Sequence, residues 1–228
     1  MKKLFLLSLS CLVTMSAWSQ KQAGGEKNLE VQFAPFSENP VSVSGIRFRK
    51  FNAAGNSAWR INLMIEAFSV NTIKQQAILA TVPMTPELTH DSSSLTVAIA
   101  PGYEKHFPGT GNLSPYWGAE LAFIMATTNE EEMFEDPNAA GATYTVTTKN
   151  ENGGTGFGIN LLAGCDFYFA KSIYLGIEFG YGFVTASASD IDYSTTEPNA
   201  DAIPSIKQGS GFLVGSNSNA QIRLGFLF

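Results

Sequence analysis

The sequence predicts an all-β protein: a transmembrane, antiparallel, up-and-down β-barrel of eight strands. Three observations lead to this fold class. The chain begins with an export signal, it contains no apolar run long enough for a membrane-spanning helix, and apolar and polar residues alternate along much of its length. Such alternation is typical of strands whose two faces meet different surroundings. A barrel of ten strands is the alternative, because each barrel strand has only a weak sequence signal.

The first residues have the organisation of a secretory signal peptide. Lys2 and Lys3 precede an apolar run over residues 4–15, and small residues follow at Ala17 and Ser19. That run is shorter than the ~20 residues that a spanning helix needs. A basic start, a short apolar run and a small-x-small site predict cleavage after Ser19. We therefore expect residues 1–19 to be removed and residues 20–228 to form the barrel.

Composition argues against several function classes. The chain has 14 Lys and Arg against 20 Asp and Glu, and two of the basic residues lie in the signal peptide, so the mature chain keeps 12 and has a formal charge of −8. Nucleic-acid binding needs a basic surface and is not expected. Cys165 is the single cysteine left after cleavage, which excludes an internal disulfide and a cysteine-rich metal site. We expect no cofactor and no metal.

The clearest alternation covers residues 157–184. Ile177 and Phe179 belong to an apolar set at odd positions, whereas Gly176, Glu178 and Gly180 occupy even positions. The preceding segment has the same pattern, and only residues 170–172 separate the two, which predicts a tight hairpin. Further alternating runs start near residues 29, 46, 59, 95, 117 and 222. Together these runs predict eight strands, most of them near the ~10 residues that a tilted strand needs to cross a bilayer.

The connections predict the orientation of the barrel. Counted from an N-terminus in the periplasm, periplasmic turns would cover Asn52–Ser57, His106–Ser114 and Ala170–Ser172. Outer loops would lie near Ser37–Pro40, Ser69–Ser94, Thr128–Thr155 and Ala186–Gly215. Short periplasmic turns and long outer loops are typical of outer-membrane barrels. Strand-like pieces within these loops predict hairpins that continue above the membrane, at Ala77–Met84, Tyr144–Thr148 and Phe212–Val214.

The polar positions of the runs would face a narrow interior. They carry charges of both signs and hardly any lysine, unlike the water-exposed face of a soluble sandwich. Since an unpaired charge there is costly, these side chains should pair, with the arginines on one wall and most of the acids opposite. An eight-stranded interior favours an ion-pair plug, and a gated solute path is the alternative. The predicted network consists of Arg47, Arg49, Arg60, Arg223, Glu30, Glu66, Glu104, Glu120, Asp166 and Glu178.

Two further groups would lie at the surface. Aromatic residues near the predicted periplasmic ends should form a girdle that anchors the barrel at the membrane interface. They are Trp59, Tyr103, Phe107, Tyr116 and Trp117. An acidic run over residues 130–136 falls in the third outer loop. It lacks the fixed spacing of a calcium loop, so we expect a solvated run of charges.

The C-terminal residues 221–228 resemble the β-signal of bacterial outer-membrane proteins. Gln221, Phe226 and Phe228 fit that pattern, whereas Arg223 replaces its usual glycine. Four other stretches are similar to small outer-membrane β-barrel proteins of the Bacteroidota, with an OmpA/OmpX-like architecture: Glu30–Phe36, Gly45–Arg49, Gly102–Phe107 and Leu113–Leu121. The resemblance implies a barrel in the outer membrane of a Gram-negative cell, and it does not imply a biochemical activity.

The predicted function is that of a non-enzymatic barrel with a structural or loop-mediated binding role in the cell envelope. A narrow, porin-like channel for small solutes is the alternative. A lipid-modifying enzyme is a more distant one: His90-Asp91-Ser92 resembles the His-x-Ser of outer-membrane lipid A deacylases, but its surroundings differ, so we assign no catalytic residue. Expected partners are outer-membrane lipids, lipopolysaccharide, the barrel-assembly machinery and periplasmic chaperones. The sequence names no extracellular ligand.

Overall fold

The computed structural model describes residues 21–33, 43–75, 87–137, 143–196, 201 and 204–228. The predicted signal peptide lies outside these residues. No helix within the described ranges is long and apolar enough to cross a membrane. The same ranges form nine strands: β1 (Lys27–Phe33), β2 (Val43–Phe51), β3 (Ser57–Gln75), β4 (Glu87–His106), β5 (Leu113–Pro137), β6 (Thr143–Ala170), β7 (Ile173–Ala188), β8 (Asp192–Thr195) and β9 (Ser210–Leu227).

Eight of these strands close into a ring. Strands β1 to β6 each pair antiparallel with the next along the chain, β7 pairs with β9, and β9 returns to β1, where Val31 lies opposite Leu224. The short β8 stands outside the ring and pairs with the far part of β6, with Tyr193 opposite Asn150. The prediction of an eight-stranded antiparallel barrel is confirmed. Closure leaves no exposed edge around the main ring, which is how barrels satisfy their backbone groups.

The ring has charged residues inside and apolar residues outside. Among the described residues, 15 polar or charged residues are buried, against nine hydrophobic ones. In β7, Tyr174 is fully buried, whereas Leu175, Ile177 and Phe179 are 43%, 52% and 56% exposed. Because successive side chains of a strand point to opposite faces, one strand supplies both surfaces.

Short turns close one end of the barrel, which we call the turn end. Residues 52–56 join β2 to β3, and the Asn52 side-chain oxygen accepts hydrogen bonds from the backbone N–H groups of Asn56 and Ser57. Gly55 has a φ of 67° there, a conformation that costs little only for a residue without Cβ. The tight hairpin predicted at residues 170–172 is confirmed, since Lys171 and Ser172 alone separate β6 from β7.

At the opposite end, the hairpin end, the strands extend further than the sequence predicts. β3 and β4 pair out to Gln75 opposite Glu87, and β5 and β6 pair out to Pro137 opposite Thr143. The outer loops predicted at Ser69–Ser94 and Thr128–Thr155 are therefore mostly paired strand, and those loop bounds are wrong. The extensions carry polar residues on both faces, so the backbone ladder continues where the apolar alternation has stopped.

The strand-like pieces predicted inside the loops have different outcomes. Tyr144–Thr148 belongs to β6, and Phe212–Val214 belongs to β9, so both are strand extensions as predicted. Ala77–Met84 and the loop predicted at Ser37–Pro40 lie outside the described residues.

Candidate functional site

A cluster of nine charged side chains fills the turn-end half of the lumen. All eight strands of the ring contribute to it. The four arginines come from β2, β3 and β9, and one acid comes from each of the strands β4 to β7 on the other side. All nine are buried except Glu120, which is half-buried. We call this set the charged cluster; it consists of Glu30, Arg47, Arg49, Arg60, Glu104, Glu120, Asp166, Glu178 and Arg223.

Arg49 and Arg60 form the centre of the charged cluster. Arg49 contacts three carboxylates: its Nε lies 2.6 Å from Glu30 Oε1, its Nη1 2.9 Å from Glu104 Oε2, and its Nη2 2.9 Å from Asp166 Oδ2. Arg60 also contacts three, at 3.0 Å for Glu104, 3.0 Å for Glu120 and 2.7 Å for Glu178. Each guanidinium therefore crosses the lumen and joins several strands.

Arg47 and Arg223 complete the network. Arg47 Nη2 lies 2.8 Å from Glu178 Oε1, and its Nε donates to Asn62 Oδ1 at 2.5 Å. Arg223 Nη1 lies 3.1 Å from Glu30 Oε2, and its Nη2 lies 2.8 Å from Asp166 Oδ1. Buried charges are tolerated when they are paired and hydrogen-bonded in this way. Five carboxylates face four guanidinium groups, so the charged cluster has a formal charge of −1.

Two tyrosines extend the network with hydroxyl and ring contacts. Tyr116 donates its hydroxyl to Glu178 Oε2, and Arg49 Nη2 donates to the Tyr174 hydroxyl oxygen at 2.5 Å. The Arg49 guanidinium carbon also lies 5.2 Å from the centre of the Tyr174 ring, and that of Arg223 lies 5.4 Å from the Tyr116 ring. Cation–π contacts of this kind stabilise guanidinium groups that are removed from water.

Glycines on the inner face make room for the large side chains. A Cβ added to Gly225 would lie 2.0 Å from Cζ of Tyr174, and one added to Gly176 would lie 2.5 Å from Nη2 of Arg223. The tyrosine ring and the guanidinium group therefore lie directly against the backbone of a neighbouring strand. Their close approach explains why the inner face alternates glycine with long polar residues.

Glu66 is the one residue of the predicted network that does not join the charged cluster. Its side chain is exposed, and among the described residues it makes no ion pair. Glu66 lies on the same face of β3 as Arg60, but six residues further along the strand. At ~3.3 Å per residue this displaces it by ~20 Å toward the hairpin end. The alternation predicts its face correctly, but its position along the barrel axis is too far from the cluster.

Tyr116 corrects the predicted aromatic girdle. It is 2% exposed and belongs to the inner face, whereas Trp117 beside it is 51% exposed on the outer face. The prediction for Tyr116 is wrong because one residue along a strand reverses the face. The other four predicted girdle residues, Trp59, Tyr103, Phe107 and Trp117, are all exposed, and the Trp59 and Tyr103 rings contact each other at 5.2 Å.

A second polar group closes the turn end beneath the charged cluster. His106 Nδ1 lies 2.8 Å from Ser114 Oγ, and its Nε2 lies 3.2 Å from Glu104 Oε2. The Gln22 amide donates to Ser114 Oγ at 2.8 Å. Sequence reasoning missed this group, because it placed His106 and Ser114 in a turn, whereas they are the last inner residue of β4 and the first of β5.

The chain Ser114–His106–Glu104 has the order of groups found in serine hydrolases, but its surroundings differ. Ser114 is fully buried, and Glu104 is held by two arginines. A catalytic serine must be reachable by substrate, so this arrangement seals the turn end instead.

Above the charged cluster the lumen opens into a cavity of about 270 Å³, which we call the outer cavity. Its polar lining includes Arg47, Asn62, Glu120 and Glu178 on the side of the charged cluster. The rest of its lining is mostly apolar, with Met64, Ala98, Ala122, Ile124, Leu162 and Val184 among its residues. The lumen is therefore charged and filled toward the turn end, and directly above the charged cluster it is open with mostly apolar walls.

The hairpin-end surface carries the acidic run. Residues 130–136 form part of β5, and the side chains of residues 130–133 alternate between the two faces of the strand. Glu131 pairs with Lys149 on β6, with Nζ 2.8 Å from Oε2, and this hydrogen bond raises the pKa of Lys149. Among the described residues no group of His, Cys, Asp and Glu has the geometry of a metal site.

His90, Asp91 and Ser92 also lie in regular strand. Asp91 accepts a hydrogen bond from Asn71 on the neighbouring strand β3. Alternation places Asp91 on the face opposite to His90 and Ser92. The three side chains therefore do not converge as a catalytic set would.

Gln221 and Phe226 belong to the closing strand β9, and Phe228 follows its last residue. The backbones of Gln221 and Glu178 are paired, while the Gln221 side chain lies outside the described residues. Phe226 and Phe228 are exposed on the outer surface. Phe228 also exchanges two backbone hydrogen bonds with Lys27, at 2.9 and 3.0 Å, so the last residue helps to close the ring.

Comparisons with known proteins give little further information. No protein-family model matches the chain, and no curated protein matches it in sequence. Among solved structures, the crystal structure of CarO from Acinetobacter baumannii is similar over 92% of this chain and 100% of that chain, with 10% sequence identity and a TM-score of 0.38. The strand pairing itself defines the eight-stranded ring.

Proposed function

We propose that this protein is an integral outer-membrane β-barrel with a closed lumen, and that it serves the envelope by binding and not by conducting solutes. The observation that carries the proposal is the charged cluster, in which side chains from all eight ring strands meet. A lumen filled in this way has no continuous water path at the level of the cluster. The barrel then acts as a rigid support for the hairpins and the outer cavity.

The outer surface supports the membrane location. Large apolar side chains are exposed on every side of the ring; Leu63, Phe123, Leu161 and Ile177, for example, are 42–61% exposed. Soluble proteins rarely expose a continuous apolar surface of this size. Aromatic residues near the turn end, including Trp59 and Trp117, match the girdle that anchors outer-membrane barrels at the interface. Cell fractionation with alkaline extraction tests this part: the protein should stay in outer-membrane sediments.

Single-channel recording tests the closed lumen. The folded protein in a planar bilayer should give no steady ion current, and a porin in the same bilayer provides the positive control. A stable, ion-selective conductance would overturn the proposal and favour the narrow-channel alternative. That alternative has one observation in its favour, the open outer cavity, which would be the vestibule of a pore if the charged cluster could rearrange.

A non-enzymatic role is part of the proposal. Ser114 is buried, and Asp91 points away from His90 and Ser92, so neither serine has an accessible base and acid beside it. Lipid analysis of cells that overproduce the protein tests this point. A changed lipid A acylation pattern would support the enzyme alternative.

A further inference from the structure

The open half of the lumen is lined differently from the closed half. A second cavity of about 320 Å³ lies toward the hairpin end and shares Ile124 and Val184 with the outer cavity. Its lining is mostly small or apolar, with Ala126, Gly154, Gly156 and Ala186 among the residues. The two cavities share part of their walls and form one mostly apolar vestibule above the charged cluster. Small-molecule pockets have this character, with apolar walls and a few polar groups at one place.

The charges at the base of the vestibule are unequally exposed. Glu120 and Glu178 retain 10% and 7% of their side-chain exposure, and both line the outer cavity. The other three carboxylates and three of the guanidinium groups of the charged cluster are 0% exposed, and Arg47 is 1% exposed. Among the charged side chains that line the outer cavity, the two carboxylates are therefore more exposed than Arg47, the arginine that lies beside them.

The charged cluster as a whole also has a negative formal charge. Five carboxylates and four guanidinium groups leave the charged cluster with a formal charge of −1. Glu66, further along the inner face of β3, adds an exposed carboxylate on the way in. A low-dielectric site with surplus negative charge favours a cation and disfavours an anion.

We propose that the vestibule binds a small amphiphilic cation, with an ammonium head on Glu120 and an apolar body against Ile124 and Val184. Asn62 and Asn160, whose amide groups donate to Glu120 at 2.8 and 3.3 Å, hold this carboxylate in place at the base. The inference rests on the proposed function, since it names the ligand class of a barrel that is closed below the site. Neutral molecules of the same shape should bind more weakly, and carboxylates should bind weakest.

Three probes that share the same phenylethyl group and differ in charge test whether the vestibule prefers a cation. The mature protein, folded in phosphatidylcholine nanodiscs, is titrated calorimetrically with 2-phenylethylammonium, 2-phenylethanol or 3-phenylpropanoate, and empty nanodiscs provide the background. We expect saturable binding in the order cation, alcohol, carboxylate. Glu120→Gln should weaken binding of the cation by roughly tenfold and leave the alcohol unchanged, because it removes one ionic contact.

A matched pair of variants tests whether the probes bind in the vestibule. Ala126→Phe fills the vestibule and should abolish binding of all three probes, whereas Thr127→Phe, on the outer face of the same strand, should leave binding intact. Absence of binding above the empty nanodiscs, equal affinity for the three probes, or full binding to Ala126→Phe would each overturn the inference. Heat-modifiable migration and conductance, measured on the same samples, test the proposed function separately, so the two failures remain distinguishable.

Discussion

Arg49 Nη2 and Asp166 Oδ2 lie 2.9 Å apart, although β2 and β6 stand on diametrically opposite sides of the ring. Four strand-to-strand steps separate these strands in either direction. Arg60 and Glu178, on β3 and β7, are a second such pair, at 2.7 Å. Direct contact across the full diameter means that the side chains fill the lumen at this height.

Substitutions in the charged cluster should destabilise the barrel to different extents. Arg60→Met removes the partner of the buried Glu104 and Glu178 and of the half-buried Glu120, so it should destabilise the barrel by about 3–5 kcal/mol. Glu120→Gln should cost less, because Glu120 is partly exposed and the surplus charge of the cluster is negative. Unfolding in urea, followed by heat-modifiable migration on gels, measures both. The double variant should recover part of the Arg60→Met loss.

The same variants distinguish a plug from a pore. Conductance of Arg60→Met and Glu120→Gln should stay near zero, since the remaining side chains still meet across the lumen. If stability were unchanged and ion selectivity shifted instead, a continuous water path would have to run through the charged cluster.

A charge on the outer face of β7 should destabilise the barrel, by an amount that depends on its depth in the membrane. Ile177 is 52% exposed in the apolar surface, so Ile177→Arg should destabilise a barrel in lipid by about 2–4 kcal/mol. Asn129→Arg is the matched control, because Asn129 faces outward in the polar extension of β5 and should tolerate the change. An Ile177→Arg barrel as stable as the wild type would contradict the assignment of this face to lipid.

Tyr174 lies against the backbone of Gly225, so a methyl group added to Gly225 should destabilise the barrel. Gly225→Ala places a Cβ against the Tyr174 ring and should cost about 1–3 kcal/mol through overpacking. Gly211→Ala on the same strand has no atom within 4 Å of the added Cβ and serves as the control. Comparable urea midpoints for the two variants would mean that the ring moves aside at little cost.

The C-terminal aromatic predicts an effect on assembly. Phe228→Ala keeps the backbone hydrogen bonds to Lys27 but removes the exposed ring that the β-signal resemblance singles out. We expect less folded protein in the outer membrane and more degradation in the periplasm, with Phe228→Tyr close to the wild type. Equal outer-membrane amounts of Phe228→Ala and wild type, measured by immunoblotting of fractions, would refute a signal role.

Alternation along each strand was enough to assign most residues to a face. Glu30, Arg47, Arg49, Arg60 and Arg223 all face inward as their positions predict, because the side-chain period of two is a local property of extended backbone. The same rule, applied strictly, assigns Tyr116 to the inner face with Glu120. The aromatic type of Tyr116 suggested the membrane interface instead, and its hydrogen bond to Glu178 shows why a tyrosine suits the interior.

The position of each side chain along the barrel axis could be determined only from the structure. Glu66 has the predicted face and lies too far toward the hairpin end, and His106 lies one position inside the strand that was expected to end before it. The sequence predicts loops where β3 to β6 extend beyond the barrel, because the regular apolar alternation ends there. Backbone pairing can continue there without an apolar face, so hydropathy does not mark where such a strand ends.

The sequence by itself determined that this chain forms an eight-stranded antiparallel barrel with charges inside, because strand alternation and turn composition are local. Only the tertiary structure decided which charges meet. Arg223 and Glu30 lie 193 residues apart and touch because β9 closes on β1, and Arg49 reaches Asp166 because the ring is narrow. The stagger and diameter of the closed ring set these contacts, and with them the boundary between the filled half of the lumen and the open vestibule.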